Sequence, residues 1–287
     1  MIAQDTGSPC CDALITDDKT KSTFRTQDSR MAALKANCRK VMCIGRNYAY
    51  VSTLHYLSSL LTYLSDHITE LNNTRPKNPF FFLKPTSSIL PPPHDNTPIQ
   101  VPRNVNVHFE IELGLVIGKS AKNLRIPGSL QDDDATAQAL QYVKSYFLGI
   151  DLTGRDIQEA AKQARLPWTI AKGFDTFLPI SAEIPKEKIP DPHNARIWLK
   201  VNGETKQDDN TNLMLFRVPR ILKDISRVMT LEEGDLVITG TPKGVGPIKA
   251  GDRVTAGIEV DGKEIEEGRI DIGVEDAPEG GYDFHKL

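Results

Sequence analysis

Apolar positions along this chain fall mostly in short runs interrupted by glycine, proline and charged residues, which is the pattern of strands. Val41 to Ile44 is one such run; it ends at Gly45 and leads into Arg46-Asn47-Tyr48-Ala49, a strand entering a loop. Phe80 to Leu83 reads as a buried strand stopped by Lys84-Pro85, and residues 91 to 104 as a proline-rich loop. Val107 to Ile117, Tyr146 to Leu152 and Asp235 to Thr239 are further strands. Helical spacing appears in ATAQALQYVKSY, directly after Asp132-Asp133-Asp134, whose acids suit a helix N-terminus and read as a cap and solvated face rather than a cation site. Helices are also expected over Arg155 to Leu166, ended by Pro167, and around Pro219 to Met229. Asn202-Gly203 and Asp261-Gly262 stand between extended runs and predict hairpins with primed turns. No internal repeat and no regular strand-helix alternation is visible, so the expected class is mixed α/β, mainly β, with peripheral helices rather than a doubly wound sheet.

Composition narrows the chemistry more than the fold. At 287 residues with 39% hydrophobic content the chain can bury a sizeable core. The net charge of -3 comes from interspersed acids and bases, with no basic face for nucleic acid or an anionic membrane, so a small-molecule substrate is the better expectation. Cys10, Cys11, Cys38 and Cys43 all lie in the first 43 residues, which is no disulfide framework and fits a reducing compartment. No window approaches the roughly 18 consecutive apolar residues of a membrane span. Residues 1–30 hold five Asp against two Lys and two Arg, unlike a basic import presequence; they read as a disordered or spurious tail before a single catalytic domain over 31–287, with cytoplasm and mitochondrion both open.

Candidate chemistry begins in HFEIELG. Glu110 and Glu112 are two apart in an expected strand and project from one face, while Phe109, Ile111 and Leu113 point the other way. Adjacent like charges repel unless they sit in solvent or share a cation, and the spacing alone leaves both readings standing. Asp151 ends the run SYFLGID just before the helix carrying Arg155 and Gln158; it suits either a helix N-terminal anion or a site at a strand end. Three carboxylates without His or Cys would make a hard oxygen site for Mg²⁺, Mn²⁺ or Ca²⁺, with positions left for water and substrate. TGTPKGVG, residues 239–246, lacks the spacing of a phosphate-binding loop and suits a turn that receives a carboxylate.

Several long motifs in order, GRNYA, DHITEL, FFLKPTSS, HFEIELG, GIDLTGRDIQ, LPWTIAKGFD, PKEKIPDPH, WLKVNGE and LEEGDLVITGTPKGVGP, resemble the fumarylacetoacetate hydrolase family, most closely its acylpyruvase and oxaloacetate decarboxylase branch. The resemblance runs from about Val41 to Gly257. It implies a β-roll that dimerises, with Mg²⁺ or Mn²⁺ on Glu110, Glu112 and Asp151. It further implies His67 and Glu70 as an acid-base dyad, Lys172 as the catalytic lysine, and Arg155, Gln158, Gly240 and Thr241 as substrate contacts. The implied activity is hydrolysis of acylpyruvates to pyruvate and a carboxylate, decarboxylation of oxaloacetate, or both. Two rivals are an isomerase or decarboxylase of ring-opened aromatic degradation products, and a splice product that binds metal without turnover.

One departure bears on the second rival. The family pattern runs from NYA directly into DH, whereas here residues 50–65, YVSTLHYLSSLLTYLS, intervene without a single Asp, Glu, Lys or Arg. Removing them restores GRNYADHITELNN, so we expect an unremoved short intron or a misjoined reading frame. A tryptic digest of the native protein should yield NYADHITELNNTRPK; recovery of a peptide containing YVSTLHYLSS overturns this.

Overall fold

A computed structural model of the protein describes residues 34–49, 76–94 and 97–284. The tail at 1–30, the insertion at 50–65, and His67 with Glu70 lie outside the described residues.

Six strands form the sheet that carries the candidate chemistry, in the order Ile184–Pro185, Val143–Ile150, Ile111–Ile117, Leu236–Ile238, Val41–Gly45 and Phe80–Lys84. All neighbours run antiparallel except Leu236–Ile238 beside Val41–Gly45. A second sheet orders Glu204–Asn210, Arg196–Val201, Arg253–Val260, Ile270–Asp276 and Ile99–Val101. A small third sheet joins Gly246–Ile248, Val107–Phe109 and Thr153–Gly154.

Ile111–Ile117 is buried along its whole length because both of its faces are covered. Ile111, Leu113, Leu115 and Ile117 belong to the large core shared with Ile197, Leu199 and Ile258 of the second sheet. Val116, from the opposite face, packs with Val41, Phe147 and Ile238 in a smaller core. Gly114 lies under the Phe147 ring, where an added Cβ would come within 2.2 Å of Cζ, so that face needs a residue without a side chain.

Both expected hairpins form, with positive φ at Asn202, Gly203, Asp261 and Gly262 as primed turns require. The helices Arg155–Ala164 and Val218–Val228 also stand close to the expected positions. Three expectations are corrected. The helix after the three aspartates stops at Ala139, and Val143–Ile150 is already strand, because Val143 to Gly149 pair with the buried strand beside them and that pairing outweighs local helical spacing. Asp132 is indeed the cap, accepting from the Ala135 amide at 2.8 Å. Phe80–Lys84 is an edge strand rather than a buried one: Leu83 is 45% exposed while Lys84, read only as a strand terminator, is 1% exposed. Finally, Val107 to Ile117 is not one strand. The chain leaves one sheet at Phe109 and enters another at Ile111, with Glu110 at the switch.

Candidate functional site

Glu110 stands between two strands, its carbonyl accepting from the Asp151 amide at 2.8 Å, so the sheet switch and the end of Val143–Ile150 are locked together. Glu112 follows on the face away from the large core. Carboxylate oxygens of Glu110, Glu112 and Asp151 lie within 4.8 Å of one another, and all three residues are buried. One cation with oxygen ligands at about 2.0 to 2.6 Å can bridge such a set. Burial raises the Glu112 carboxyl well above the usual range, and the charges of Asp151 and Glu110 push it further the same way. An oxygen-only cluster that resists its own third negative charge fits a hard divalent cation.

Cations surround the trio. Lys172, at the end of the short helix Thr169–Lys172, reaches Asp151 Oδ2 at 2.6 Å and Glu110 Oε2 at 3.1 Å. Burial works to strip its ammonium of a proton, but Asp151 and then Glu110 outweigh that and raise its proton affinity above the ordinary lysine value. Arg155, the first residue of its helix, donates to Glu110 Oε1 at 2.6 Å and to Gln158 Oε1 at 2.6 Å. Thr153 adds a hydroxyl to Glu110 Oε1 at 3.1 Å. Next to these, burial and then the Arg155 charge lower His108 to about 4, so its imidazole is neutral near pH 7.

Gly240 and Thr241 close the site from the end of Leu236–Ile238. The Gly240 amide donates to Glu112 Oε2 at 2.6 Å, so this N–H orients a carboxylate of the trio. Its φ of +97° and the approach of Asn47 Cβ to within 2.7 Å of an added Cβ demand glycine here. Thr241, Gln158, Arg155 and Lys172 line one cavity with the three carboxylates, and Arg46, Lys162, Phe80, Phe82 and Trp168 are also part of its wall. All described members of the expected site but Gly240 line this cavity, and Gly240 meets it through its bond to Glu112; His67 and Glu70 lie outside the described residues.

Lys84 escaped the sequence reading. Its fully buried ammonium donates to Asp151 Oδ1 at 2.8 Å, to the Leu152 carbonyl at 3.2 Å and to the Lys172 carbonyl. The only signal was its place in FFLKPTSS, where a lysine closing an apolar run looks like a strand stop.

Comparison with known proteins identifies a family and several named relatives. The family described as fumarylacetoacetate (FAA) hydrolase C-terminal matches residues 40–271. The mitochondrial oxaloacetate tautomerase oaa1 of Schizosaccharomyces pombe is 48% identical over 217 residues, 76% of this chain and 87% of that protein. The mitochondrial oxaloacetate decarboxylase of Dictyostelium discoideum is 45% identical over 221 residues, 77% of this chain and 88% of its own. Fumarylpyruvate hydrolase from Pseudomonas aeruginosa, solved in complex with Mn²⁺ and pyruvate, superposes with a TM-score of 0.66 at 31% identity, covering 83% of this chain and 90% of that one.

Removing one partner of a buried ion pair costs about 3–5 kcal/mol when the other charge is left alone, and less for Asp151, which would keep Lys172. Lys84→Met should therefore lower the urea midpoint of the metal-free protein markedly. Lys162→Met, which breaks a partly exposed pair with Glu159, should shift it little. Equal midpoints for the two variants would contradict the role given to Lys84.

Proposed function

The chain belongs to the fumarylacetoacetate hydrolase family, and from that premise we propose that it is a divalent-cation-dependent enzyme that releases pyruvate from 2-oxo acids, by hydrolysing acylpyruvates, by decarboxylating oxaloacetate, or by both. The observation that carries the reading is the buried trio Glu110, Glu112 and Asp151, ringed by Lys172 and Arg155 and open to one cavity. Mg²⁺ or Mn²⁺ held by the trio would supply positive charge to receive the carboxylate and 2-oxo oxygen of the substrate and to offset negative charge growing there.

The chain's own groups divide the remaining work. Arg155 holds Glu110 in place and, with Gln158, borders the space for the substrate. Thr241 offers its hydroxyl to the substrate carboxylate. Lys172 keeps its proton between Asp151 and Glu110, where a pyruvate enolate would form, so its ammonium both stabilises that charge and can return a proton to C3. In hydrolysis, water adds to the distal carbonyl, the C3–C4 bond breaks with its electron pair passing to C3, and the acyl carbon departs as a carboxylate. His67, oriented by Glu70 three residues on, is the base proposed for that water, on the family resemblance. Oxaloacetate needs no water: the C3–C4 bond breaks, CO₂ leaves, and the same enolate takes a proton at C3.

The tautomerase relative favours a second chemistry on the same substrate, since moving a proton between C3 and the 2-oxo oxygen of oxaloacetate passes through the same charge distribution. Following oxaloacetate keto-enol interconversion beside pyruvate release separates the two. The ring-opened aromatic alternative is not favoured, because the curated relatives at 45% and 48% identity are named for oxaloacetate. These relatives are named as mitochondrial, and the mitochondrion is the compartment proposed here. No helix among the described residues is long and apolar enough to cross a membrane. A homodimer, with residues 31–287 as one catalytic domain, completes the proposal.

Glu112→Ala should reduce metal-dependent pyruvate release from oxaloacetate or acetylpyruvate by on the order of a hundredfold or more and abolish Mn²⁺ binding followed by electron spin resonance. Activity that survives both chelation and this substitution would overturn the mechanism.

A further inference from the structure

The strand Leu236–Ile238 accompanies Ile111–Ile117 only as far as Gly114. Thr239 follows, its amide and hydroxyl both donating to the Leu113 carbonyl, and the chain turns away at Gly240, whose amide meets the Glu112 side chain rather than the strand's backbone. That departure would leave the buried Ile111 amide, between the two glutamates, without a partner on this side. Gln207 fills the gap from the other sheet: it is 1% exposed, and its Oε1 accepts from the Ile111 amide at 2.9 Å. Its Nε2 carries two hydrogens: one goes to the Thr241 hydroxyl oxygen at 2.8 Å, and the other goes to the Pro242 carbonyl at 2.9 Å and is shared with the Lys243 carbonyl at 3.3 Å.

The direction of these bonds is fixed by chemistry. A backbone N–H can only donate and a backbone carbonyl can only accept, so the Gln207 amide has one orientation that satisfies Ile111, Pro242 and Lys243 together. In that orientation an N–H meets Thr241 Oγ1, which must accept. The hydroxyl hydrogen is then left to turn toward the cavity that Thr241 lines.

We propose that Gln207 is a positioning residue that fixes Thr241 as a hydrogen-bond donor toward the substrate carboxylate and ties its loop to the strand bearing Glu110 and Glu112. This rests on the reading of the cavity as a 2-oxo acid site. A carboxylate offers only acceptors, so a threonine held in donor polarity is matched to it, whereas a freely rotating hydroxyl spends part of its time presenting lone pairs.

The test uses Mn²⁺ alone and then oxalate on the Mn²⁺-loaded protein, both followed by calorimetry. Thr241→Val should weaken oxalate about tenfold without changing Mn²⁺ affinity, and Thr241→Ser should restore most of the loss. Gln207→Met should weaken oxalate by a smaller factor, about two- to threefold, because the freed hydroxyl can still turn to the ligand, again with Mn²⁺ affinity unchanged. Combined with Thr241→Val it should add little, since Gln207 acts through the hydroxyl that Thr241→Val removes. Fully additive losses, or equal weakening of Mn²⁺ and oxalate by Gln207→Met, overturn the inference while leaving the cavity's reading intact. Should Gln207→Met melt before it can be titrated, native oxalate affinity in Thr241→Val overturns it instead, and a selective loss restored by serine supports it. Unsubstituted protein that binds neither Mn²⁺ nor oxalate overturns both the reading and the inference.

Discussion

The constraint on which everything else depends is that three carboxylates are buried within a few ångströms of one another. Glu110, Glu112 and Asp151 share a space of 4.8 Å, and mutual repulsion there is screened far less than in water. The fold answers with Lys84 and Lys172 on Asp151, and Lys172 and Arg155 on Glu110, each cation arriving from a different element. An edge strand, a short helix and a helix N-terminus are therefore held together by the charge problem they solve. Among the described residues Glu112 forms no ion pair of its own; its carboxylate accepts from the Gly240 amide, and burial first, then the charges of Asp151 and Glu110, raise its proton affinity. With Glu112 ionised, three negative charges meet the three formal positive ones, and a divalent ion held there would give the site an excess of two. A dianion such as oxaloacetate, or an acylpyruvate as its enolate forms, supplies the balancing charge.

Topology explains why the trio sits where it does. Glu110 occupies the switch between two sheets, Asp151 follows the end of Val143–Ile150, and Gly240 and Thr241 follow the end of Leu236–Ile238. Each is a place where a strand has lost its neighbour and backbone groups need other partners. The Asp151 amide takes the Glu110 carbonyl, the Gly240 amide takes Glu112, and the Ile111 amide takes Gln207. The opening in the sheet that admits a substrate is thus the opening that the site residues repair.

How much of this is legible in the sequence follows the range of the interactions. Local chemistry read well: Asn202-Gly203 and Asp261-Gly262 carry their turn geometry in their own φ preferences, and Asp132 caps the helix it precedes. Alternation put Glu110 and Glu112 on one side because Ile111, Leu113 and Leu115 need the core. It could not reveal the break at Glu110, which is set by pairing with Val143–Ile150 and Thr153–Gly154 further down the chain. Nor could it give Asp151 a partner, since an acid before a helix looks the same whether it caps or coordinates; only the resemblance joined it to the glutamates. Lys84 and Gln207 were passed over for one reason. Their contacts span 67 and 96 positions, and within their own segments they look like a strand stop and a hairpin residue.

On the proposed reading, hydrolysis, decarboxylation and tautomerisation all place negative charge on the same pyruvate-like fragment, and the buried ring of charges responds to that fragment alone. It cannot tell a distal carboxylate from an acyl chain, because the distal group lies beyond it. That distinction falls to the cavity wall, where Arg46 and Lys162 stand beside Phe80, Phe82 and Trp168. The Arg46 guanidinium lies 5.6 Å from the Phe80 ring centroid, and Trp168 meets the Phe80 and Phe82 rings edge-on, so one wall offers both a charge for a carboxylate and aromatic surface for an acyl group. The trio and its cations serve the step the reactions share, and the wall differs from them in carrying charge and aromatic surface side by side.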